Sequence, residues 1–136
     1  MGVKPYLRKL PGMDHIVVYE DDDLMRALLT EWLGQAGYRV SAPAPREPPP
    51  ELPADLVIVS ISMPKHVGAR MVREIQADHP GAPLIALSAQ FRAGLCDVGA
   101  SARILGVRQV MAKPLSRDGL LESIRVILAA RGKPGC

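Results

Sequence analysis

Ile16-Val17-Val18-Tyr19-Glu20-Asp21-Asp22-Asp23-Leu24-Met25-Arg26 holds a strand, a turn and a helix start in immediate succession. The apolar run 16–19 shows no polar alternation, as expected of a strand buried on both faces of a parallel sheet. Four acids follow it directly. Behind them, over 23–36, Leu24, Leu28, Leu29, Trp32 and Leu33 fall on one helical stripe. Asp22 or Asp23 is placed to cap that helix, and Gly37 to end it.

The same alternation continues outward. Runs 56–59 and 84–87 repeat the continuous apolar pattern, and weaker strand candidates at 38–42 and 107–112 each follow a glycine, Gly37 and Gly106. A helix is predicted over about 69–77, with Met71, Val72 and Ile75 inward. Another runs from Ser116 as N-cap to about 130, with Leu120, Leu121, Ile124, Ile127 and Leu128 inward. Residues 92–105 are also predicted helical, although Gly94 and Gly99 each cost about 1 kcal/mol relative to Ala. Strands alternating with helices at this spacing predict a doubly wound α/β domain, because parallel neighbours require right-handed crossovers.

One crossover breaks the pattern. Ala42-Pro43-Ala44-Pro45-Arg46-Glu47-Pro48-Pro49-Pro50-Glu51-Leu52-Pro53 carries six prolines in twelve residues. Each costs a helix interior about 3 kcal/mol or more. An extended crossover, partly polyproline II, is therefore predicted where a helix would stand. A linker between two domains is the alternative, but too few strands precede it to make a domain.

The 136 residues suffice for one domain and not for two such cores. The boundaries read as an extension at 1–13, a domain at 14–131 and a tail at 132–136. No apolar run approaches the ~20 residues that cross a bilayer, and residues 1–13 lack the apolar core of a secretion signal. A cytoplasmic protein without membrane contact is expected. Cys96 and Cys136, with no His or Cys at metal-ligand spacing, are expected to be free thiols. The net charge of +3 is spread over both tails and forms no basic face, so no nucleic acid is expected as a direct partner.

In an open parallel sheet, ligands bind beyond the carboxyl ends of the strands. The first strand ends in Glu20-Asp21, the third in Ser60, the fourth in Ser88 and the fifth in Lys113-Pro114. Two carboxylates, two hydroxyls and an ammonium group suit a hard cation and a phosphoryl-like anion. A plainer account has the acids merely favouring the helix dipole and Lys113 solvated in a loop. That account is preferred for Asp22 and Asp23. For Glu20, Asp21 and Lys113 the site is preferred, because topology groups them independently of their chemistry.

Taken in order, Val17-Val18-Tyr19-Glu20-Asp21-Asp22-Asp23, Ala36-Gly37-Tyr38, the run from Pro53-Ala54-Asp55 through Ser60-Ile61-Ser62-Met63-Pro64, Ala86-Leu87-Ser88-Ala89, Leu105-Gly106-Val107 and Ala112-Lys113-Pro114 resemble the receiver domain of response regulators. The resemblance covers about 15–130. It implies a flavodoxin-like fold, a five-stranded parallel sheet of order 2-1-3-4-5. It also implies that Glu20 and Asp21 match the acid pair that holds Mg²⁺, and that Ser62 matches the position lending a backbone carbonyl to the metal. Ser88 matches the hydroxyl that contacts the phosphoryl group, and Lys113 the lysine that neutralises it. The bond into Pro114 is one the family often holds cis, which proline tolerates at about 0.5–1 kcal/mol.

Three departures stand against these matches. Ser60 occupies the place of the phospho-accepting aspartate, and a neutral hydroxyl is a poor nucleophile without an activating base. Val110 replaces the aromatic residue that swings inward in many receivers. The proline-rich crossover replaces the family's second helix, which is expected to uncover apolar sheet surface there.

The expected function is a degenerate, phosphorylation-independent receiver in two-component signal transduction. It is not expected to be an enzyme. No cofactor is required, and any Mg²⁺ at Glu20, Asp21 and Ser62 would be held weakly. The expected partner is a protein, a histidine kinase or a downstream signalling protein. A homodimer is a further expectation: the resemblance implies pairing through the fourth-helix, fifth-strand and fifth-helix face, with Arg103, Arg108, Arg117 and Asp118 as charged contacts, and the missing second helix offers another surface. One rival is a conventional phosphorelay receiver phosphorylated at another acid such as Asp21, or one whose native form has Asp at position 60. Another is a small flavodoxin-like hydrolase with Ser60 as nucleophile and Glu20 as base, which lacks a glycine-rich loop and a suitably placed His. His15, His66 and His79 are dispersed, and are expected to be unpaired surface or strand-end residues. Gly94, Gly99 and Gly106 lack the Lys-Ser or Lys-Thr of a P-loop.

Overall fold

The computed structural model describes residues 14–44, 47–61, 65–88, 107–112 and 115–130, with the backbone alone over 65–69. The predicted helix at 92–105, both cysteines, Ser62, Arg103, Lys113 and Pro114 lie outside the described residues.

The elements run β1 (His15–Tyr19), α1 (Asp23–Gln35), β2 (Arg39–Ser41), β3 (Leu56–Ser60), α2 (Lys65–Asp78), β4 (Leu84–Ser88), β5 (Gln109–Ala112) and α3 (Arg117–Ala130). The five strands form one sheet of order β2-β1-β3-β4-β5. All neighbours are parallel, with Ile16 opposite Val40 and Leu56, Ile58 opposite Ile85, and Ala86 opposite Val110. This is the predicted flavodoxin-like doubly wound sheet. β2 and β5 are shorter than the predicted 38–42 and 107–112. α2 begins at Lys65, ahead of the predicted 69, because Lys65, His66 and Gly68 carry no apolar signal.

The continuous apolar runs are explained by two cores, one on each face. Alternate strand residues point to opposite faces. Ile16, Val18, Leu56, Ile58, Ile85 and Leu87 pack with Leu29 and Leu33 of α1 and with Leu120, Ile124 and Ile127 of α3. Val17, Val57, Val59, Ala86 and Val110 pack with Val72 and Ile75 of α2. Burying each such side chain contributes about 1.5–3 kcal/mol.

The caps are local and follow the sequence. Asp22 Oδ1 accepts from the Leu24 and Met25 amides at 2.9 and 3.0 Å, so Asp22 caps α1. At the other end, Gly37 takes a left-handed φ of 98°. Its N–H donates to the Gly34 carbonyl and the Tyr38 N–H to the Leu33 carbonyl, closing a Schellman motif. Ser116 Oγ accepts from the Gly119 N–H at 3.0 Å and caps α3.

The predicted inward stripe of α1 needs correction. Leu24 is 83% and Leu28 38% exposed, whereas Leu29 and Leu33 are fully buried. Met25 and Trp32 complete the inward face. Leu29, Trp32 and Leu33 are kept from the predicted stripe, and the exchange of Leu24 and Leu28 for Met25 rotates its centre by roughly 40°.

The crossover after β2 contains no helix over 42–44 and 47–55, as its prolines require. The sheet beside it is nevertheless covered, against expectation. On that face His15 is 2% and Val17 0% exposed. The imidazole of His15 spans two partners, Ser41 Oγ from Nε2 at 2.7 Å and the Pro53 carbonyl from Nδ1 at 2.9 Å. Ala54 packs on the Val17 cluster. The crossover therefore folds back as a strap, and a polar anchor replaces the apolar patch expected there. His15 stands at a strand end, as expected, whereas His79, buried and bonded behind α2, is neither at the surface nor at a strand end. Among the described residues no helix is long and apolar enough to cross a membrane.

Candidate functional site at the carboxyl edge of the sheet

Three neighbouring strands deliver the polar residues of the site. Tyr19 stands opposite Val59, so the residues that follow them, Glu20 and Ser60, leave adjacent strands side by side. Ser60 stands opposite Leu87, which precedes Ser88. Adjacent strands are about 4.8 Å apart, which brings Glu20, Ser60 and Ser88 to one end of the sheet. Glu20 is 6% and Ser88 3% exposed, Ser60 is half-buried and Asp21 is exposed. Of the residues predicted for the site, the structure thus brings together Glu20, Asp21, Ser60 and Ser88.

The acidic turn is largely occupied with its own architecture. Glu20 Oε2 accepts from the Asp22 N–H at 3.0 Å. Asp22 caps α1, as described. Asp23 pairs with Arg26 at 2.6 Å, and the same guanidinium donates to the Glu20 carbonyl at 3.0 Å. Arg26, on the first turn of α1, therefore holds the turn in place. Sequence reasoning missed this role; the available signal was an arginine three residues after Asp23. Among the described residues no group of three or more His, Cys, Asp or Glu could hold a metal ion.

Asp55, also on the β3 segment, stands at the opposite edge. It is 6% exposed; its Oδ2 accepts from the His15 N–H at 2.8 Å, and its own N–H donates to the His15 carbonyl at 2.7 Å. At about 3.3 Å per residue, five residues separate Asp55 from Ser60 by roughly 16 Å. Its role is to join the amino ends of β1 and β3.

Val110 is 4% exposed, stands opposite Ala86, and belongs to the core on the α2 face of the sheet. Arg108, Arg117 and Asp118 are exposed, with Arg117 and Asp118 3.9 Å apart.

A parallel sheet of this order, with acids and hydroxyls at its carboxyl edge, defines a flavodoxin-like α/β module whose ligand edge is built from three strands. The response regulator receiver domain family matches residues 16–125, and the chain belongs to that family. Solved structures agree on the fold. The receiver domain of TorR, the response regulator of a TMAO respiratory system, is 25% identical, with a TM-score of 0.68 over 85% of this chain and 97% of that one. The chemotaxis protein CheY4 of Vibrio cholerae is 19% identical, with a TM-score of 0.69 over 85% and 98%. The receiver domain of a sensor histidine kinase from Pseudomonas aeruginosa, whose structure holds magnesium in its active-site cleft, is 24% identical. Its TM-score is 0.65 over 86% and 98%. No curated protein matches the chain. The chain is accordingly a response-regulator receiver domain of two-component signalling, a family whose members interact with histidine kinases and other proteins.

Proposed function

We propose that this receiver is degenerate: it signals without phosphorylation, by contact with a protein partner. The observation that carries the reading is Ser60, the last residue of β3 at the carboxyl edge, where the family resemblance expects an aspartate. Without that carboxylate the edge has one anionic metal ligand fewer, and a neutral hydroxyl stands in the acceptor position. The surrounding acids do not occupy that position. Glu20 accepts from the Asp22 amide, Asp21 is exposed in the turn after β1, Asp22 is a helix cap and Asp23 pairs with Arg26. Such a donor set fits Mg²⁺ poorly, since that ion demands near-octahedral oxygen ligation. Asp55 serves the opposite edge. Val110, aliphatic and buried, offers no ring to relay an event at Ser88.

A hydrolase reading is not favoured, because the chain lacks a glycine-rich phosphate loop and the two described histidines, His15 and His79, are held in other hydrogen bonds. Incubation of the full chain with a small phosphodonor and Mg²⁺ is the test. Its intact mass is expected to stay unchanged; stoichiometric gain of one phosphoryl group overturns the reading, and peptide mapping would then locate it.

A further inference from the structure

The proline-rich strap is the feature that the signalling site leaves without a task. Proline fixes its own φ and pushes the residue before it out of the α region, so Pro48-Pro49-Pro50 is restricted to extended, polyproline-II-like backbone. The chain then bends at Glu51 and Leu52. Both ends are tied down. The Glu47 N–H donates to the Ala44 carbonyl at 3.0 Å, while Glu47 Oε1 accepts from the Ala44 N–H at 2.6 Å. At the far end the Pro53 carbonyl is held by buried His15 at 2.9 Å. Pro50 is half-buried, and with Glu47 and Pro48 it lines a shallow groove against Ser41, Ala42 and Pro43. Pro48, Pro49 and Leu52 are exposed, Leu52 by 43%.

We infer that Pro48-Pro49-Pro50-Glu51-Leu52-Pro53 is a docking strap for a protein domain whose groove is lined by aromatic side chains and rimmed by Lys or Arg. Proline rings pack flat on aromatic faces, and a polyproline backbone makes no internal hydrogen bonds, leaving its carbonyls to donors such as Trp N–H or Tyr O–H. Leu52 adds one aliphatic anchor. Exposed Glu47 and Glu51 flank the prolines, and 47–53 contains no Lys or Arg, so charge complementarity selects a basic rim. The same acids disfavour a nucleic acid or an anionic membrane. Because the ends are tethered, docking pays little ordering entropy.

The test titrates the full ¹⁵N-labelled chain with isolated WW, SH3 and EVH1 domains chosen for basic-rimmed grooves. Saturable shifts of the Glu47, Glu51 and Leu52 amides are expected with at least one of them. The double substitution Pro48→Ala, Pro49→Ala is expected to weaken that binding by about tenfold or more, about 1.4 kcal/mol. Charge reversal at Glu51, Glu51→Lys, is expected to weaken it as well, and undiminished binding there overturns the basic rim. All three positions are exposed, so an unchanged thermal midpoint verifies that each variant is folded. Absence of binding by every domain, or undiminished binding by the proline variant, overturns the inference.

Discussion

Tyr19 and His79, sixty residues apart in sequence, share a hydrogen bond of 2.7 Å between the phenol oxygen and Nε2, with their ring centroids 5.8 Å apart. Burial, aided by Asp78, pushes the Tyr19 phenol up; burial also holds His79 below its ordinary value, opposed by Asp78 and reinforced by His15. Both shifts favour the neutral forms, a protonated phenol and an uncharged imidazole, and the tautomer of His79 sets which of them donates. This bond joins the end of β1, one residue before Glu20, to the residue that follows α2.

The pair makes stability depend on pH. A histidine with a depressed folded pKa binds fewer protons folded than unfolded below its ordinary value of 6.5. Its contribution is present above that value and is lost as pH falls through the folded pKa. Urea unfolding at about pH 7.5 and about pH 5.5 is expected to show lower stability at the acidic value. His79→Gln, which cannot titrate, is expected to shrink the difference.

Ser60→Asp restores a carboxylate between Glu20 and the β4 edge. The variant is expected to gain Mg²⁺-dependent phosphoryl uptake, and the unaltered chain to show none, because a third acid then adjoins Glu20 and Asp21. Intact mass after incubation with a small phosphodonor checks this.

Removing the clamp at His15 should loosen the strap. His15→Leu leaves the Pro53 carbonyl and the Ser41 hydroxyl without their imidazole partner, at a cost of about 1–3 kcal/mol. Hydrogen exchange is expected to accelerate at the Asp55 amide, which donates to the His15 carbonyl, more than in α3.

Two substitutions test the ends of α1. Asp22→Ala removes one acceptor shared by two amides and is expected to cost about 0.5–2 kcal/mol. Gly37→Ala puts a side chain at φ 98° and is expected to cost about 1–2 kcal/mol. Thermal unfolding reads both.

Much of the fold was legible because it is written locally. The uninterrupted apolar runs at 16–19, 56–59 and 84–87 could only be strands covered on both faces, and the two cores cover them. Asp22, Gly37 and Ser116 signalled helix ends because a cap involves only the next few residues. The meeting of Glu20, Asp21, Ser60 and Ser88 was legible through one topological rule, since strand ends in a parallel sheet share an edge.

Contacts between distant segments were not legible. Leu24, Leu28, Leu29 and Leu33 are chemically equivalent, and only the position of α1 on the sheet decided that Leu29 and Leu33 go inside. The prolines excluded a helix after β2, yet nothing in them announced that the strap would return to His15. A buried imidazole must find hydrogen-bond partners, and where it finds them depends on chain packing. Sequence alone therefore determined the strands, the caps and the serine at the end of β3. Tertiary structure alone decided which groups His15 and His79 would face, because their burial and pairing are set by neighbours tens of residues away.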